Sequence, residues 1–160
     1  MNLTEEQIER YSRHIILQDV GGAGQEKILN SKVLIIGTGG LGAPAALYLA
    51  AAGVGTLGII DGDVVDVSNL QRQVIHFTPD VNKPKVISAK EKIQQINPDV
   101  KVNAIQDIFR ASNALDIIKD YDFIIDGTDN FPAKFLINDA CVKAQKPFLM
   151  VGFYVSMGKQ

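Results

Sequence analysis

Residues 32–42 read KVLIIGTGGLG. A lysine followed by four branched apolar residues has the composition of a strand buried on both faces. Gly37, Gly39 and Gly42 follow at G-x-G-x-x-G spacing, and the Ala-rich stretch at 40–52 reads as a helix. Strand, glycine turn and helix together form the unit that opens a doubly wound α/β sheet. The turn lets backbone N–H groups at the helix N-terminus approach a phosphate. The next apolar run, 56–60, ends at Asp61, where an acid can hold ribose hydroxyls. Gly37, Gly39, Gly42 and Asp61 are thus the first candidate nucleotide-binding residues, but this geometry serves NAD, FAD and adenine mononucleotides alike.

Outward from this unit the alternation continues. Residues 84–96 read as a helix with Val86, Ala89, Ile93 and Ile96 inward, and 100–105 as a strand. Residues 112–119 read as a helix, 121–126 (YDFIID) as a strand, 133–144 as a helix and 148–151 (FLMV) as a strand. Continuous apolar strands separated by helices predict an α/β doubly wound, Rossmann-like, mainly parallel sheet covered on both faces. Upstream, Thr4-Glu5-Glu6-Gln7 has capping-box spacing. A helix is expected from there to about Ile16, with Ile8, Ser12, Ile15 and Ile16 on one face and Arg10 and Arg13 elsewhere. Gly21, Gly22 and Gly24 are expected to break the chain before a short helix at 25–30. The sequence therefore divides into a helical arm, 1–30, and an α/β domain, 31–160. Residues 151–160 read as a strand starting again, so the domain is expected to be cut short there.

The 160 residues carry 16 Lys and Arg against 18 Asp and Glu. That balance argues against a general nucleic-acid or membrane-surface binder. The one cysteine, Cys141, excludes a disulfide within the chain and fits a reducing cytosol. It reads as a small core residue, and His14 and His76 as structural. The polar N-terminus holds no signal core, and no apolar segment is convincing as a bilayer span, so a cytoplasmic protein is expected.

Three polar clusters follow the sheet's strands. The loop DVSNLQRQVIH, 66–76, sets Asn69, Gln71 and Arg72 close together. In Asn82-Lys83-Pro84-Lys85, Pro84 suits a first helical turn, which places two lysines at the positive end of a helix dipole; an anion is expected there. Asp126-Gly127-Thr128-Asp129-Asn130 closes the YDFIID strand. Asp129 is a candidate Mg²⁺ ligand, and Asp129 or Asn130 a candidate helix cap. In open α/β sheets ligands lie beyond the carboxyl ends of strands, so these groups can face one crevice. A dinucleotide carries about two charges and a triphosphate about four, so this surplus of phosphate-binding groups favours ATP with magnesium. A Rossmann oxidoreductase using NAD or FAD is the alternative, but no acid or base for hydride transfer is evident.

From Arg10 to Gln160 the sequence resembles the ThiF/MoeB/HesA adenylyltransferases, relatives of ubiquitin-activating enzymes. The motifs that carry the likeness are RYSRHIIL, VLIIGTGGLGAPAALYLAAAGVGTLGIID, SNLQRQ, KPK, INPDV and DGTDN. The phrasing around APAALYLAAAGVGTL leans toward the thiamine branch, ThiF, over the molybdopterin branch, MoeB. The resemblance implies a homodimeric enzyme that binds ATP·Mg and a small ubiquitin-like sulfur carrier ending in Gly-Gly. The carrier's carboxylate would attack the α-phosphate, releasing pyrophosphate. It implies Gly40 near the phosphates, Asp61 near the ribose, Asp63 near the ribose and metal, and Asn69, Arg72 and Lys85 on the phosphates. Asp129 would hold the metal, and Arg13 would reach the γ-phosphate of the other subunit. Family members usually continue into a crossover loop and paired Cys-x-x-Cys zinc ligands; this sequence holds no such pairs, so no zinc is expected in it. A dehydratase branch acting on a modified tRNA base, and inactive adenylation-like halves, share the fold.

Overall fold

The computed structural model describes residues 3–152. Five strands are present among them: β1 (Lys32–Ile36), β2 (Thr56–Ile60), β3 (Lys101–Ile105), β4 (Phe123–Asp126) and β5 (Phe148–Met150). They form one all-parallel sheet in the order β3-β2-β1-β4-β5. The order reverses direction between β1 and β4, which opens a crevice beyond their carboxyl ends.

Alternation along β1 divides the core. Val33 and Ile35 point to one face, with Leu57, Ile59, Val102 and Ile125. There they pack against α4 (Gly42–Ala52) through Ala43, Ala46 and Ala50, and against α5 (Lys85–Ile96) through Val86, Ala89 and Ile93. Leu34 and Ile36 point to the other face with Ile60 and Ile124, under α6 (Ala114–Ile118) and α7 (Phe131–Ala144). Cys141 lies fully buried in this second core, where burial pushes its thiol pKa up. Both faces of the sheet are covered, so its continuous apolar strands need no polar side. Ile96, expected inward, is exposed: α5 ends there and turns at Asn97.

The arm departs most from expectation. Thr4 makes both bonds of the capping box with Gln7, but the helix is not continuous. It divides at Tyr11 into α1 (Glu5–Arg10) and α2 (Ser12–Ile15). The break turns Tyr11 inward: it is 1% exposed, and its hydroxyl accepts from Asn97 Nδ2 at 2.7 Å. Asn97 Nδ2 also donates to the Ala50 carbonyl at 2.9 Å, so one tyrosine fastens the arm to α4 and α5. The expected apolar face is not the buried one, since Ile16 is 70% exposed. Gly21, Gly22 and Gly24 do not break the chain either. They open α3 (Gly21–Asn30), whose first residue takes φ +58°. Of the strand expected over 151–160, Val151 and Gly152 are not in a strand and the remainder lies outside the described residues.

Candidate functional site

The loop after β1 is shaped by contacts that exclude side chains. Gly37 has φ +87°, a conformation other residues rarely adopt. A Cβ on Gly42 would lie 1.8 Å from the Gly37 carbonyl oxygen, so the helix can start this close to the strand only with glycine there. Thr38, between them, is buried and donates both its N–H and its hydroxyl to Asp61 Oδ2, each at 2.8 Å. Asp61 Oδ1 accepts the Asp63 N–H at 2.9 Å. The acid expected to meet a ribose therefore also latches the glycine loop. A carboxylate has about four lone-pair sites, so one remains for a ligand.

Beyond the carboxyl ends of β1, β2 and β4 lies a cleft of about 430 Å³. That is within the range of small-molecule sites, about 300–1,000 Å³. Gly37, Gly39, Gly40, Asp61, Asp63, Arg72, Lys85 and Asp129 all line it. Arg72 lays its aliphatic stem across Gly40, 3.3 Å from where a Cβ would be. Its Nη1 reaches the Ser68 carbonyl at 3.3 Å. Lys85, at the first turn of α5, has a side chain only 7% exposed and pairs with Asp63 Oδ2 at 3.0 Å, while Asp63 is 75% exposed.

Other candidates stand apart from the lining. Asn69 Oδ1 accepts the Asp66 N–H at 3.3 Å and closes a 3₁₀ turn at Val67–Asn69. Gln71 Nε2 donates to the Ser68 carbonyl at 2.9 Å. Asn130 caps α7 by accepting the Ala133 N–H at 3.0 Å, which leaves Asp129 exposed at the cleft rather than serving as the cap. Gly42 is buried beneath the loop, and Arg13 is exposed on α2, outside the cleft.

Among the described residues the expected excess of positive charge is not there. Lys83 turns away from the cleft to Glu91 Oε2 at 2.7 Å and Asp80 Oδ1 at 3.4 Å. That leaves Arg72 and Lys85 against Asp61, Asp63 and Asp129, a formal balance of one negative charge in the lining. A polyanion entering here needs backbone N–H groups and further cations.

Sequence reasoning missed several lining residues. Gln73 is buried, and its Oε1 has no hydrogen-bond partner, a costly state unless a ligand or water supplies one. Its only signal was the last letter of SNLQRQ. Gly127 and Thr128 also line the cleft. Thr128 donates its N–H and hydroxyl to Asp126 Oδ1 at 2.9 and 2.6 Å, and Lys134 Nζ holds Asp126 Oδ2 at 2.9 Å. Among the described residues no group of three or more His, Cys, Asp and Glu is arranged to hold a metal by itself. No helix among them is long and apolar enough to cross a membrane.

Residues 11–159 match the ThiF family. The sequence is 54% identical over 152 residues to a probable adenylyltransferase/sulfurtransferase, MoeZ, of Mycobacterium tuberculosis, covering 95% of this chain and 39% of that protein. It is 44% identical over 154 residues to a sulfur carrier protein adenylyltransferase of Thermus thermophilus, covering 96% and 57%. Among solved structures, the E. coli tRNA N6-threonylcarbamoyladenosine dehydratase TcdA in complex with ATP superposes with a TM-score of 0.87 at 26% identity. That match covers 94% of this chain and 61% of TcdA. The chain thus spans about two fifths to three fifths of the length of the proteins it matches. A glycine-looped cleft at the β1/β4 switch point, on a sequence matched across nearly its whole length, leads to one assignment: the chain belongs to the ThiF family.

Proposed function

We propose that the cleft binds ATP with magnesium and that, in the complete protein, it activates the C-terminal Gly-Gly carboxylate of a ubiquitin-like sulfur carrier. The observation that carries this reading is the convergence of Arg72, Lys85 and Asp129 with the glycine loop on one crevice. The names of the MoeZ and Thermus relatives, both adenylyltransferases, support it, as does ATP in the TcdA structure.

In this reading Gly37, Gly39 and Gly40 admit the phosphates to the backbone at the start of α4, and Asp61 takes a ribose hydroxyl with Asp63 beside it. A carrier carboxylate oxygen bonds to the α-phosphorus as the bond from that phosphorus to the bridging oxygen breaks. Pyrophosphate leaves, and a mixed anhydride remains. Arg72 and Lys85 neutralise the charge that builds on the leaving group. Asn69, Gln71 and Asn130 hold the two loops around them. Magnesium usually takes one or two carboxylates plus phosphate oxygens, which fits the exposed Asp129 at the cleft better than an all-protein cage. Bound there, it supplies charge neutralisation at the departing phosphates. Because the lining is formally negative, a further cation is needed, and Arg13 of a partner subunit fills that role in a homodimer. The compartment is the cytoplasm. The thiamine and molybdopterin pathways remain alternative settings for the carrier.

The test is ATP–pyrophosphate exchange dependent on a Gly-Gly-ended carrier. Exchange that requires the carrier's terminal glycines supports the reading. Tight NAD binding with no exchange by the full-length protein refutes it. A second reading, ATP-dependent dehydration of a modified tRNA base, draws on the overlay with TcdA. Turnover of tRNA with no response to any carrier selects it instead.

A further inference from the structure

Behind the glycine loop runs a buried polar chain that nucleotide contact alone does not require. His76 is buried, with Nε2 3.3 Å from the Thr38 carbonyl oxygen and Nδ1 2.9 Å from Ser88 Oγ. Ser88 Oγ is 3.0 Å from Asp80 Oδ2, which also accepts from Lys92 Nζ at 2.5 Å and from the Phe77 N–H at 2.9 Å. At the other end, Thr38 is latched to Asp61. One imidazole thus joins α5 to the loop on which the phosphates would lie.

A carbonyl oxygen only accepts, so Nε2 carries a hydrogen whenever it bonds Thr38. Nδ1 has two options. In the neutral ring it accepts from the Ser88 hydroxyl, and Asp80 keeps Lys92 and the Phe77 N–H. In the imidazolium it donates to Ser88 Oγ, whose hydrogen turns to Asp80. The states differ by one proton and one hydroxyl rotation. Neither moves a heavy atom, and both leave every group in the chain partnered.

The surrounding field selects between them. The groups that face the ring are Lys85 and, beyond Ser88, Lys92 from α5; Asp80 from the Thr78–Asp80 turn; and Asp61 across the glycine loop. Burial pushes the imidazole pKa down. The Thr38 carbonyl pulls it up, Lys85 opposes that, and Asp61 and Asp80 add to it; the net effect is a lowering from 6.5. The empty site therefore holds a neutral ring at neutral pH. A triphosphate brings about four negative charges, about two net with its Mg²⁺, to the far side of the loop and against Lys85, which shifts the balance toward the charged ring.

We propose that His76 is a positioning residue that takes up a proton from solvent when nucleotide binds, bracing the phosphate loop with a neutral ring in the empty site and an imidazolium in the filled one. This rests on the nucleotide reading above. It predicts tighter ATP binding as pH falls through the interval between the free and bound pKa values of His76, by about tenfold for each unit that separates them.

Calorimetry of MgATP binding between pH 6 and 7.5, in buffers of differing ionisation enthalpy, counts the protons taken up. Proton NMR follows the ring directly, because His14 and His76 are the only histidines among these 160 residues and His14→Gln leaves one signal from them. The expected result is net uptake of up to about one proton per nucleotide and a His76 titration displaced to higher pH by saturating MgATP. His76→Gln, which offers Thr38 a donor but cannot titrate, should abolish the extra uptake. The NMR measurement needs no change at His76, so a poorly folding variant does not shield the proposal. MgATP binding with an undisplaced His76 titration overturns it and leaves the nucleotide reading standing. A folded chain that binds no MgATP overturns both.

Discussion

Lys85 and Lys92 lie about two turns apart on α5, both nearly buried and both ion-paired, yet replacing each by methionine should have opposite consequences. The partner of Lys92 is Asp80, whose side chain is 4% exposed. Lys92→Met strands that carboxylate in the interior. Breaking a buried pair from one side costs about 3–5 kcal/mol. Asp80 keeps the Phe77 N–H and Lys83 at 3.4 Å, and the Ser88 hydroxyl can turn to it from His76. The loss should therefore fall at the low end of that range or just below it, about 2–3 kcal/mol. Against a typical stability of about 5–15 kcal/mol, that is a large displacement of the unfolding midpoint. The partner of Lys85 is the exposed Asp63, which water can solvate once the cation is gone, so Lys85→Met should shift stability by less than about 1 kcal/mol. It removes one of the two cations that line the cleft among the described residues and should sharply weaken MgATP binding. Urea unfolding with linear extrapolation measures both stabilities, and titration with MgATP measures the affinity. The double variant Asp80→Asn/Lys92→Met, which removes both charges, should recover most of the loss. A Lys92→Met chain within about 1 kcal/mol of the parent, or a Lys85→Met chain less stable than it, would refute this account of the two pairs.

Three further outcomes are expected. Arg72→Ala and Asp129→Ala should each reduce carrier-dependent ATP–pyrophosphate exchange by about 10²–10³-fold, as for other contacts to developing charge; an unchanged rate removes the residue from its assigned role. Mixing Arg13→Ala with Asp129→Ala subunits should restore part of the exchange if Arg13 serves its partner's cleft, and no recovery at any mixing ratio counts against that geometry. The third concerns acid. Burial alone would raise the Asp80 carboxyl, but hydrogen bonds from Lys92, the Phe77 N–H and Ser88 outweigh it and hold it well below its ordinary value of 3.8. A folded-state pKa below the unfolded one contributes stability that is present above pH 3.8 and lost as pH falls toward the folded value. Asp80→Asn should flatten the acid limb of a stability–pH curve, and a limb of unchanged slope would show that the carboxylate contributes nothing there.

The sheet was legible because its determinants are local. KVLII and the glycines after it specify strand, turn and helix within eleven residues, and the observed β1 has the bounds the composition sets. What escaped depends on partners distant in sequence. Nothing near Tyr11 announces that Asn97, 86 positions away, will hold its hydroxyl and draw it inward, breaking the arm helix. Lys83 and Lys85 flank one proline and look equivalent in the sequence. Lys83 lies ahead of the α5 N-cap and reaches Glu91 and Asp80, whereas Lys85 opens the helix and enters the cleft. For the same reason the positive crevice expected from residue counts becomes a formally negative one: charge was legible, and pairing was not. Gln73 and Thr38 were overlooked because a buried amide and a buried hydroxyl inside a glycine-rich motif read as filler until their neighbours are placed.

The two threonine latches, Thr38 on Asp61 and Thr128 on Asp126, have a consequence for speed. Both walls of the crevice are already set before anything arrives, so an incoming nucleotide meets a rigid seat and need not freeze loose chain around itself. Capture should then be limited by encounter and desolvation, with a rate that responds to salt more than to viscosity-dependent closure. With Asp61 on the ribose as proposed, the same stiffness ties sugar to phosphate. Asp61 cannot swing toward an altered ribose without releasing Thr38, so a nucleotide modified at its sugar should lose its grip on the phosphate end as well.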